Sequence, residues 1–288
     1  MSEFPPLGEY EQLRKWSGRA VPWGPDGQSS VSFGAGVVDH LAELIADGPR
    51  RVSDRYPGKA EAFTVTLGCV PWLTSKRVTA ALMSAGAHCI CVDKSSQRSS
   101  AVRRLLAHGH GIANHFIPDL RFTGPVGLDG SPPIIGPSSF IDEEEGAVLE
   151  PIRVVGWRPQ RGKELPLLHT KLAVICAAWH WERDVPGGWG GYEDYLSPVA
   201  AWWGSANWTE GARRHIEMGG WTTDEAFCGA SLEFLVDVIR FSQAPTSDTA
   251  GPEPDLAPAE FDDIAFAEYA AEMEPWPDPD EEGSGGAV

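Results

Sequence analysis

The stretch that decides the fold is Phe63–His108, which reads FTVTLGCVPWLTSKRVTAALMSAGAHCICVDKSSQRSSAVRRLLAH. The runs Phe63–Val70 and His88–Asp93 are rich in β-branched and other apolar residues and predict strands. The amphipathic runs Thr74–Ala85 and Ser99–His108 predict helices. Strands that alternate with helices over so short a distance predict an α/β fold whose sheet is at least partly parallel.

Further elements flank this stretch on both sides. Apolar residues at helical spacing predict helices at Gly36–Ala46 and Ser231–Phe241. Apolar, strand-like runs predict strands at Ile152–Trp157, Leu168–Ala177, Val199–Trp203 and His215–Trp221.

Composition divides the chain into three predicted parts. These are an irregular N-terminal segment (1–35), a folded domain (36–243) and an acidic, Pro-rich tail (244–288) with one amphipathic helix. Within the domain, a long Pro- and Gly-rich connection (118–150) and an aromatic insertion (180–198) interrupt the pattern.

The overall composition excludes several classes of protein. Hydrophobic residues make up 42% of the 288 residues, so a packed core can form and a fully disordered chain is excluded. No apolar run is long enough for a membrane helix, and the N-terminus lacks a signal-peptide pattern. The five cysteines are odd in number and lie mostly in apolar runs, which predicts reduced, buried thiols in a cytoplasmic protein.

The net charge of −18 is concentrated at the C-terminus. Residues 241–288 hold 13 of the 41 acidic residues and none of the 23 basic ones. The remaining 240 residues therefore hold 28 acidic and 23 basic side chains, a net charge of −5. A nearly balanced body with an acidic tail argues only weakly against a nucleic-acid partner.

Two short polar segments stand out among apolar neighbours: Leu168–Ile175 (LHTKLAVI) and Trp203–Thr209 (WGSANWT). Because side chains alternate along a strand, His169 and Lys171 are predicted to point the same way. If the two segments are neighbouring strands with matching faces, an imidazole, an ammonium, a hydroxyl and a carboxamide converge on one patch.

This set of groups suits the chemistry of a phosphodiester. Lys171 would supply a positive charge, and Ser205 and Asn207 would supply neutral donors, to the non-bridging oxygens. His169 would attack phosphorus through one ring nitrogen while Glu217 holds the other. We therefore expect catalysis without a metal or another cofactor.

The motifs HTK, then GSANWT, then a glutamate resemble the signature of the phospholipase D superfamily, H-x-K-x4-D followed by G-S-x-N. The resemblance implies an α/β/α sandwich with a mixed central sheet, here followed by the acidic tail. It also implies that His169 forms a phosphohistidine or acts as its acid partner. Lys171, Ser205 and Asn207 would bind phosphate, and Glu217 would orient a histidine.

Two departures from the family pattern matter. The family aspartate falls at Cys176, which carries no carboxylate and leaves retention of catalysis open. The chain also has one H-x-K motif, whereas family active sites use two. A C2 homodimer would supply the second histidine. The alternatives are a monomer that uses His180 or His215 as the acid, and a protein without activity.

Residues around the motifs are candidates for contact with a polyanion. Trp208 and other tryptophans could stack on bases or form a dimer interface, or they could be core residues. Basic residues on either side of the motifs could guide a substrate or form an ordinary solvated face; they are Arg153, Arg158, Arg161, Lys163, Arg213 and Arg214.

The leading hypothesis is a phosphodiesterase that acts as a homodimer, and the preferred substrate is nucleic acid, either DNA or RNA. The alternatives are a phospholipid headgroup hydrolase or transferase, and a catalytically silent nucleic-acid-binding subunit of a larger assembly. No membrane insertion is expected, and the acidic tail is a possible docking element for a protein partner or a merely solubilising one.

Overall fold

The structure of the chain is a computed structural model that describes residues 19–24, 28–127, 130–137, 148–156, 158–160, 163–165, 167–183, 191–245 and 254–272. A short helix predicted near Tyr10–Trp16, much of the predicted connection and the end of the tail lie outside the described residues.

The described residues form the following helices and strands. The helices are α1 (Val37–Ala46), α2 (Gly48–Arg55), α3 (Lys76–Ala85), α4 (Ser100–His108), α5 (Glu225–Arg240) and α6 (Asp263–Glu272). The strands are β1 (Ala20–Trp23), β2 (Ser29–Phe33), β3 (Phe63–Val70), β4 (Ala87–Asp93), β5 (Ile112–Ala113), β6 (Thr123–Pro125), β7 (Ile134–Ile135), β8 (Val148–Leu149), β9 (Ile152–Val155), β10 (Arg158–Gln160), β11 (Lys163–Leu165), β12 (Leu172–Arg183), β13 (Gly191–Gly204), β14 (Met218–Thr222), β15 (Leu256–Pro258) and β16 (Glu260–Phe261). Short 3-10 helices lie at Gly34–Gly36, Lys94–Ser96, Asn114–Phe116, Pro118–Leu120 and Glu210–Arg214.

The centre of the fold is an eight-stranded sheet with the order β1-β2-β14-β13-β12-β3-β4-β9. The pairs β3–β4 and β4–β9 are parallel, and the other neighbours are antiparallel. The stretch Phe63–His108 supplies the parallel part through β3, α3, β4 and α4, as its alternation predicted.

Helices cover both faces of the sheet. One apolar layer joins the sheet to α1, α3 and α4, and a second joins it to α5 and the segment 112–120. Alternation along β12 serves both layers: Ala173 and Ile175 enter the first, and Val174 enters the second. The predicted α/β/α sandwich with a mixed central sheet is confirmed.

The predicted starts of α3 and α4 are close to the observed ones, and each of these two helices carries a capping side chain. Ser75 accepts a hydrogen bond from the backbone N–H of Val78, and Ser99 accepts one from Val102. These caps place the first turns of α3 and α4 one or two residues later than the apolar spacing alone indicated. The helix predicted from Ser231 instead begins at Glu225, after Asp224, whose side chain accepts a hydrogen bond from the backbone N–H of Phe227.

The strand predicted at Leu168–Ala177 begins only at Leu172, so the prediction that His169 and Lys171 lie within a strand is wrong. The physical reason is the length of its partners. Leu172 is opposite Cys69 of β3 and Trp203 of β13, next to the ends of both strands. Lys171 still accepts a hydrogen bond from Gly204, the last residue of β13, and the residues before Lys171 leave the sheet as a loop.

The connection and the start of the tail are joined by two strand pairs. Strand β15 pairs with β6, and β16 pairs with β7. Arg153 is fully buried between them and the sheet, where it forms ion pairs with Glu150 and Asp255. The suggestion that Arg153 guides a polyanion is therefore wrong.

The aromatic insertion at 180–198 forms, where it is described, the end of a long β-hairpin made by β12 and β13. Strands β12 and β13 pair from Leu172 opposite Trp203 to Arg183 opposite Gly191. We refer to the Leu172–Trp203 side as the open end of this hairpin and to the Arg183–Gly191 side as its tip. Among the described residues, no helix has the length and apolarity to cross a membrane.

Candidate active site at the open end of the hairpin

The candidate site lies where β12 begins, β13 ends and β14 begins. Five side chains predicted from the sequence lie in the loops at these three strand ends: His169, Lys171, Ser205, Asn207 and Glu217. We call this group the strand-end site. Because the three strands are neighbours in the sheet, their adjoining loops meet at one edge.

Lys171 is buried at this edge, which is uncommon for a lysine. Its ammonium donates a hydrogen bond to the carbonyl oxygen of His169 at 2.8 Å, and its own carbonyl accepts one from Gly204. Loss of water around the ammonium lowers the pKa of Lys171, and the nearby Glu217 carboxylate opposes this effect. The side chain is therefore a partly desolvated positive charge held against a carboxylate.

Glu217 accepts two hydrogen bonds, one on its carboxylate and one on its backbone carbonyl. The Ser205 hydroxyl donates to its carboxylate at 2.5 Å, and the backbone N–H of Met218 donates to the same hydroxyl at 3.0 Å. The Glu217 carbonyl also accepts a hydrogen bond from Gly34, at the end of β2. Ser205 therefore links the loop after β13 to the start of β14, a role that the sequence did not indicate.

The contact of Glu217 with an imidazole differs from the prediction. Glu217 lies 3.6 Å from the Nδ1 atom of His215, whereas the exposed His169 side chain makes no hydrogen bond or ion pair with another described residue. The sequence signal for His215 was its place two residues before Glu217, in an extended segment where both side chains lie on one side.

Asn207 lies between two buried residues, Ala206 and Trp208, and is itself half-buried. Its Oδ1 atom is buried and has no hydrogen-bond partner among the described residues. The strand ends at Gly204, so Ser205 and Asn207 do not continue it, and strand alternation does not determine where their side chains point.

Trp208 is an anchor of the core, and its predicted contact with substrate is wrong. Its side chain is fully buried and meets Trp202 edge-on at 6.3 Å. Its carbonyl accepts hydrogen bonds from Thr74 and Ser75, both at 2.9 Å, which join the GSANWT loop to the start of α3. A Cβ atom at Gly68 would come within 2.8 Å of its ring.

The two arginines after GSANWT lie in the 3-10 helix Glu210–Arg214. Arg214 is exposed, and the Arg213 side chain lies outside the described part of the chain. Arg158, Arg161 and Lys163 also have no described side chains. Only Arg214 of this basic group is therefore seen at the surface near the strand-end site.

Cys176 is fully buried in the apolar layer between the sheet and α5. It follows an irregularity in the pairing of β12 with β13, between Ile175 and Cys176. Burial raises the pKa of its thiol well above the usual range, so the group is neutral. A neutral thiol is compatible with this apolar layer. The residue at the position of the family aspartate therefore supplies no negative charge to the strand-end site.

The cysteines are buried inside the fold, and Gly34 lies at a turn that only a glycine adopts easily. All five cysteines are buried and free, as predicted. Gly34 has a positive φ of 71°, which a glycine adopts without strain, and begins the turn that leads into α1. Among the aromatic residues of the insertion, Trp181 is half exposed, whereas Trp189 and the side chain of Tyr192 lie outside the described part of the chain.

No protein-family model and no curated protein matches the chain. Among solved structures, the chain is similar to NucT from Helicobacter pylori, with 12% identity, a TM-score of 0.42, and coverage of 75% of this chain and 98% of that one. It is also similar to Nuc from Salmonella typhimurium, a phospholipase D family member, with 12% identity, a TM-score of 0.40, and coverage of 75% and 97%.

A third similar structure is TrmBL2, an archaeal chromatin protein with a novel mode of DNA binding, at 11% identity and a TM-score of 0.31. The match covers 79% of this chain and 58% of TrmBL2.

Proposed function

We propose that this chain is a phospholipase D-like phosphodiesterase that cleaves nucleic acid through a phosphohistidine on His169. The observation that carries the proposal is that a buried lysine, a serine-held carboxylate and an exposed imidazole lie in the loops where three neighbouring strands begin or end. These groups supply a positive charge, a carboxylate that contacts the neighbouring serine and histidine side chains, and a nucleophile, without a metal ion.

In the proposed first step, the lone pair of one His169 ring nitrogen attacks phosphorus. A P–N bond forms, the P–O bond to the leaving group breaks, and a second imidazole donates its proton to the leaving oxygen. Lys171 and the amide N–H groups of Asn207 stabilise the negative charge that builds on the non-bridging oxygens.

In the second step, the same second imidazole removes a proton from water. The water oxygen attacks phosphorus, the P–N bond breaks, and His169 is restored. Ser205 acts here by holding Glu217, because its hydroxyl hydrogen is already donated to that carboxylate. Glu217 keeps the Lys171 ammonium charged and contacts the imidazole of His215.

We propose that the second imidazole is His169 of a second copy, across a twofold axis. The chain has one H-x-K motif, and its imidazole is exposed. Exposed apolar side chains flank the site in sequence on both sides: Leu167, Ile216 and Met218, which are 57%, 79% and 50% exposed. Such side chains beside a polar site favour an interface between copies.

The experiment for the reaction uses the full chain in EDTA with single-stranded DNA, double-stranded DNA, RNA and phosphatidyl lipid vesicles. Cleavage of a nucleic acid that disappears in His169→Ala supports the proposal. Hydrolysis of lipid alone would replace nucleic acid with a lipid headgroup as substrate. Nucleic-acid binding with no turnover of any substrate would contradict catalysis and favour a silent binding subunit.

The experiment for the shared site is mass photometry of the wild type and Ile216→Asp. We expect a wild-type dimer that dissociates in this variant and loses its activity. The matched control is Ile264→Asp, because Ile264 is similarly exposed (73%) but lies on α6. An active monomer would contradict the shared site and leave His180 or His215 as the second imidazole, of which His215 is favoured because it contacts Glu217.

A further inference from the structure

A second cluster of titratable side chains lies toward the tip of the hairpin. It contains His115 from the 3-10 helix Asn114–Phe116, His180 from β12 and Asp194 from β13. One nitrogen or oxygen atom of each residue lies within 4.8 Å of the corresponding atoms of the other two. We call this group the tip cluster.

The strands and an aromatic ring set the geometry of the tip cluster. His180 and Asp194 are directly opposite each other in the β12–β13 register, and the His180 Nδ1 atom lies 2.5 Å from the Asp194 carboxylate. The His115 and His180 rings are 5.5 Å apart and tilted by 34°. The Phe116 ring lies 4.5 Å from both imidazoles and forms an apolar wall beside them.

We propose that His115, His180 and Asp194 form a binding site for Zn²⁺ or a similar divalent transition-metal ion. Imidazole and carboxylate are the donors that these ions take, and three protein ligands leave a fourth position for water or another ligand. Ca²⁺ and Mg²⁺ are disfavoured because both require oxygen ligands.

The observed spacing is close to what a metal requires. Ligand atoms about 2.0–2.1 Å from a tetrahedral Zn²⁺ lie roughly 3.3 Å from one another. The ligand atoms of the cluster lie within 4.8 Å of one another, so rotations of the three side chains would bring them to this spacing. Because His180 is half exposed, an ion can reach the site from solvent.

The three ligands come from separate parts of the chain, which points to the function of the site. A bound ion would tie the segment Asn114–Phe116 to the far part of the hairpin. His180 is eight residues along β12 from Leu172, or roughly 26 Å at the usual rise of a strand. The ion therefore would not touch the strand-end site, and this inference stands apart from the proposed phosphodiesterase.

The test is a titration of the full, metal-free chain with Zn²⁺ in competition with a chromophoric chelator. We expect one Zn²⁺ per chain, and binding at least about tenfold weaker in His115→Ala, His180→Ala and Asp194→Asn. The matched control is His108→Ala, because His108 is an exposed histidine at the end of α4 and should bind Zn²⁺ as the wild type does. Far-UV circular dichroism checks that each variant is folded.

A second measurement on the wild type needs no variant. Titration with Co²⁺ should produce the visible absorption of a four- or five-coordinate nitrogen–oxygen site, saturating at one equivalent. The inference is overturned if the wild type binds no Zn²⁺ or if the three variants bind it as tightly as His108→Ala. A Co²⁺ spectrum that stays that of the hydrated ion would also overturn it.

Discussion

The two ends of the β12–β13 hairpin place their functional groups in different ways. At the open end, polar side chains lie in loops just beyond the strands, and short motifs contain most of them. At the tip, two of the three candidate ligands lie within paired strands and meet through their register. The third, His115, comes from a 3-10 helix elsewhere in the chain.

This difference shows which sites a linear motif can reveal. Lys171 and His169 are two residues apart and remain neighbours wherever the strand begins. His180 and Asp194 are fourteen residues apart, and only the pairing of β12 with β13 brings them together. Sequence motifs therefore reveal sites whose residues lie close together in one loop more readily than sites whose residues are brought together by strand pairing.

The largest expected effect would separate the two ends completely. His169→Ala should lower phosphodiesterase activity on the order of 10⁴-fold or more, because it removes the attacking atom. Its Zn²⁺ affinity should equal that of the wild type, since the tip cluster is intact. Activity is measured as kcat/KM with His108→Ala as control. Activity within tenfold of the wild type would remove His169 from the proposed mechanism.

The next effect concerns the buried charge at the open end. Lys171→Ala should lower kcat about 10²–10³-fold, since it removes a donor to the transition state. Burial lowers the pKa of Lys171, so the wild type should lose activity at a lower pH than a solvated lysine would dictate. Lys171→Arg keeps its charge at high pH and should therefore lose activity only at a higher pH than the wild type. The measurement is kcat/KM as a function of pH. If activity falls at the same alkaline pH in Lys171→Arg and in the wild type, Lys171 does not cause that fall.

A third effect concerns a residue outside both ends of the hairpin, the buried His88. It tests whether low pH lowers the free energy of unfolding. His88 is fully buried on β4, and burial lowers its pKa to about 4 from 6.5. The unfolded chain therefore takes up this proton as the pH falls below 6.5, whereas the folded chain does so only near pH 4. Stability should be full above pH 6.5 and should fall by on the order of 3 kcal/mol as the pH drops to 4.

Urea unfolding at several pH values measures the contribution of His88. The variant His88→Gln should show a smaller loss of stability over the same pH range. Equal pH dependence in both proteins would assign the acid sensitivity to the carboxylates, of which Asp47 has a pKa lowered by its hydrogen bond to Arg50.

The smallest effect sharpens the role of Glu217. Glu217→Gln should lower kcat only about tenfold, since it removes charge and orientation but leaves the nucleophile. It should also lower the pKa of Lys171 further, because the carboxylate that opposes desolvation is gone. The readout is a downward shift of the alkaline limb. A drop in rate without such a shift would show that Glu217 acts through orientation and does not set the pKa of Lys171.

Much of the fold could be predicted because its signals are local. β3 was predicted with its observed bounds, and β4, α3 and α4 start within two residues of the prediction. The serine caps at 75 and 99 explain the small differences at the helix starts. Strand β12 was placed four residues too early, because its start depends on where β3 and β13 end.

Burial was harder to predict than type of element. Trp208 follows a polar motif and was a candidate for stacking on substrate as well as for the core, and it fills the core beside Trp202. Arg153 is buried because Asp255, 102 residues away in sequence, forms an ion pair with it. Neither result has a local signal, since each depends on a distant part of the chain.

The amino-acid sequence by itself determined the alternation of strands and helices and the identity of the groups at the open end. Those properties follow from side-chain period, capping and motifs of a few residues. The tertiary structure decided which imidazole contacts Glu217, which aromatic rings are buried and which histidines meet at the tip. Strand register and close packing are long-range properties, because each contact joins segments that are far apart in sequence.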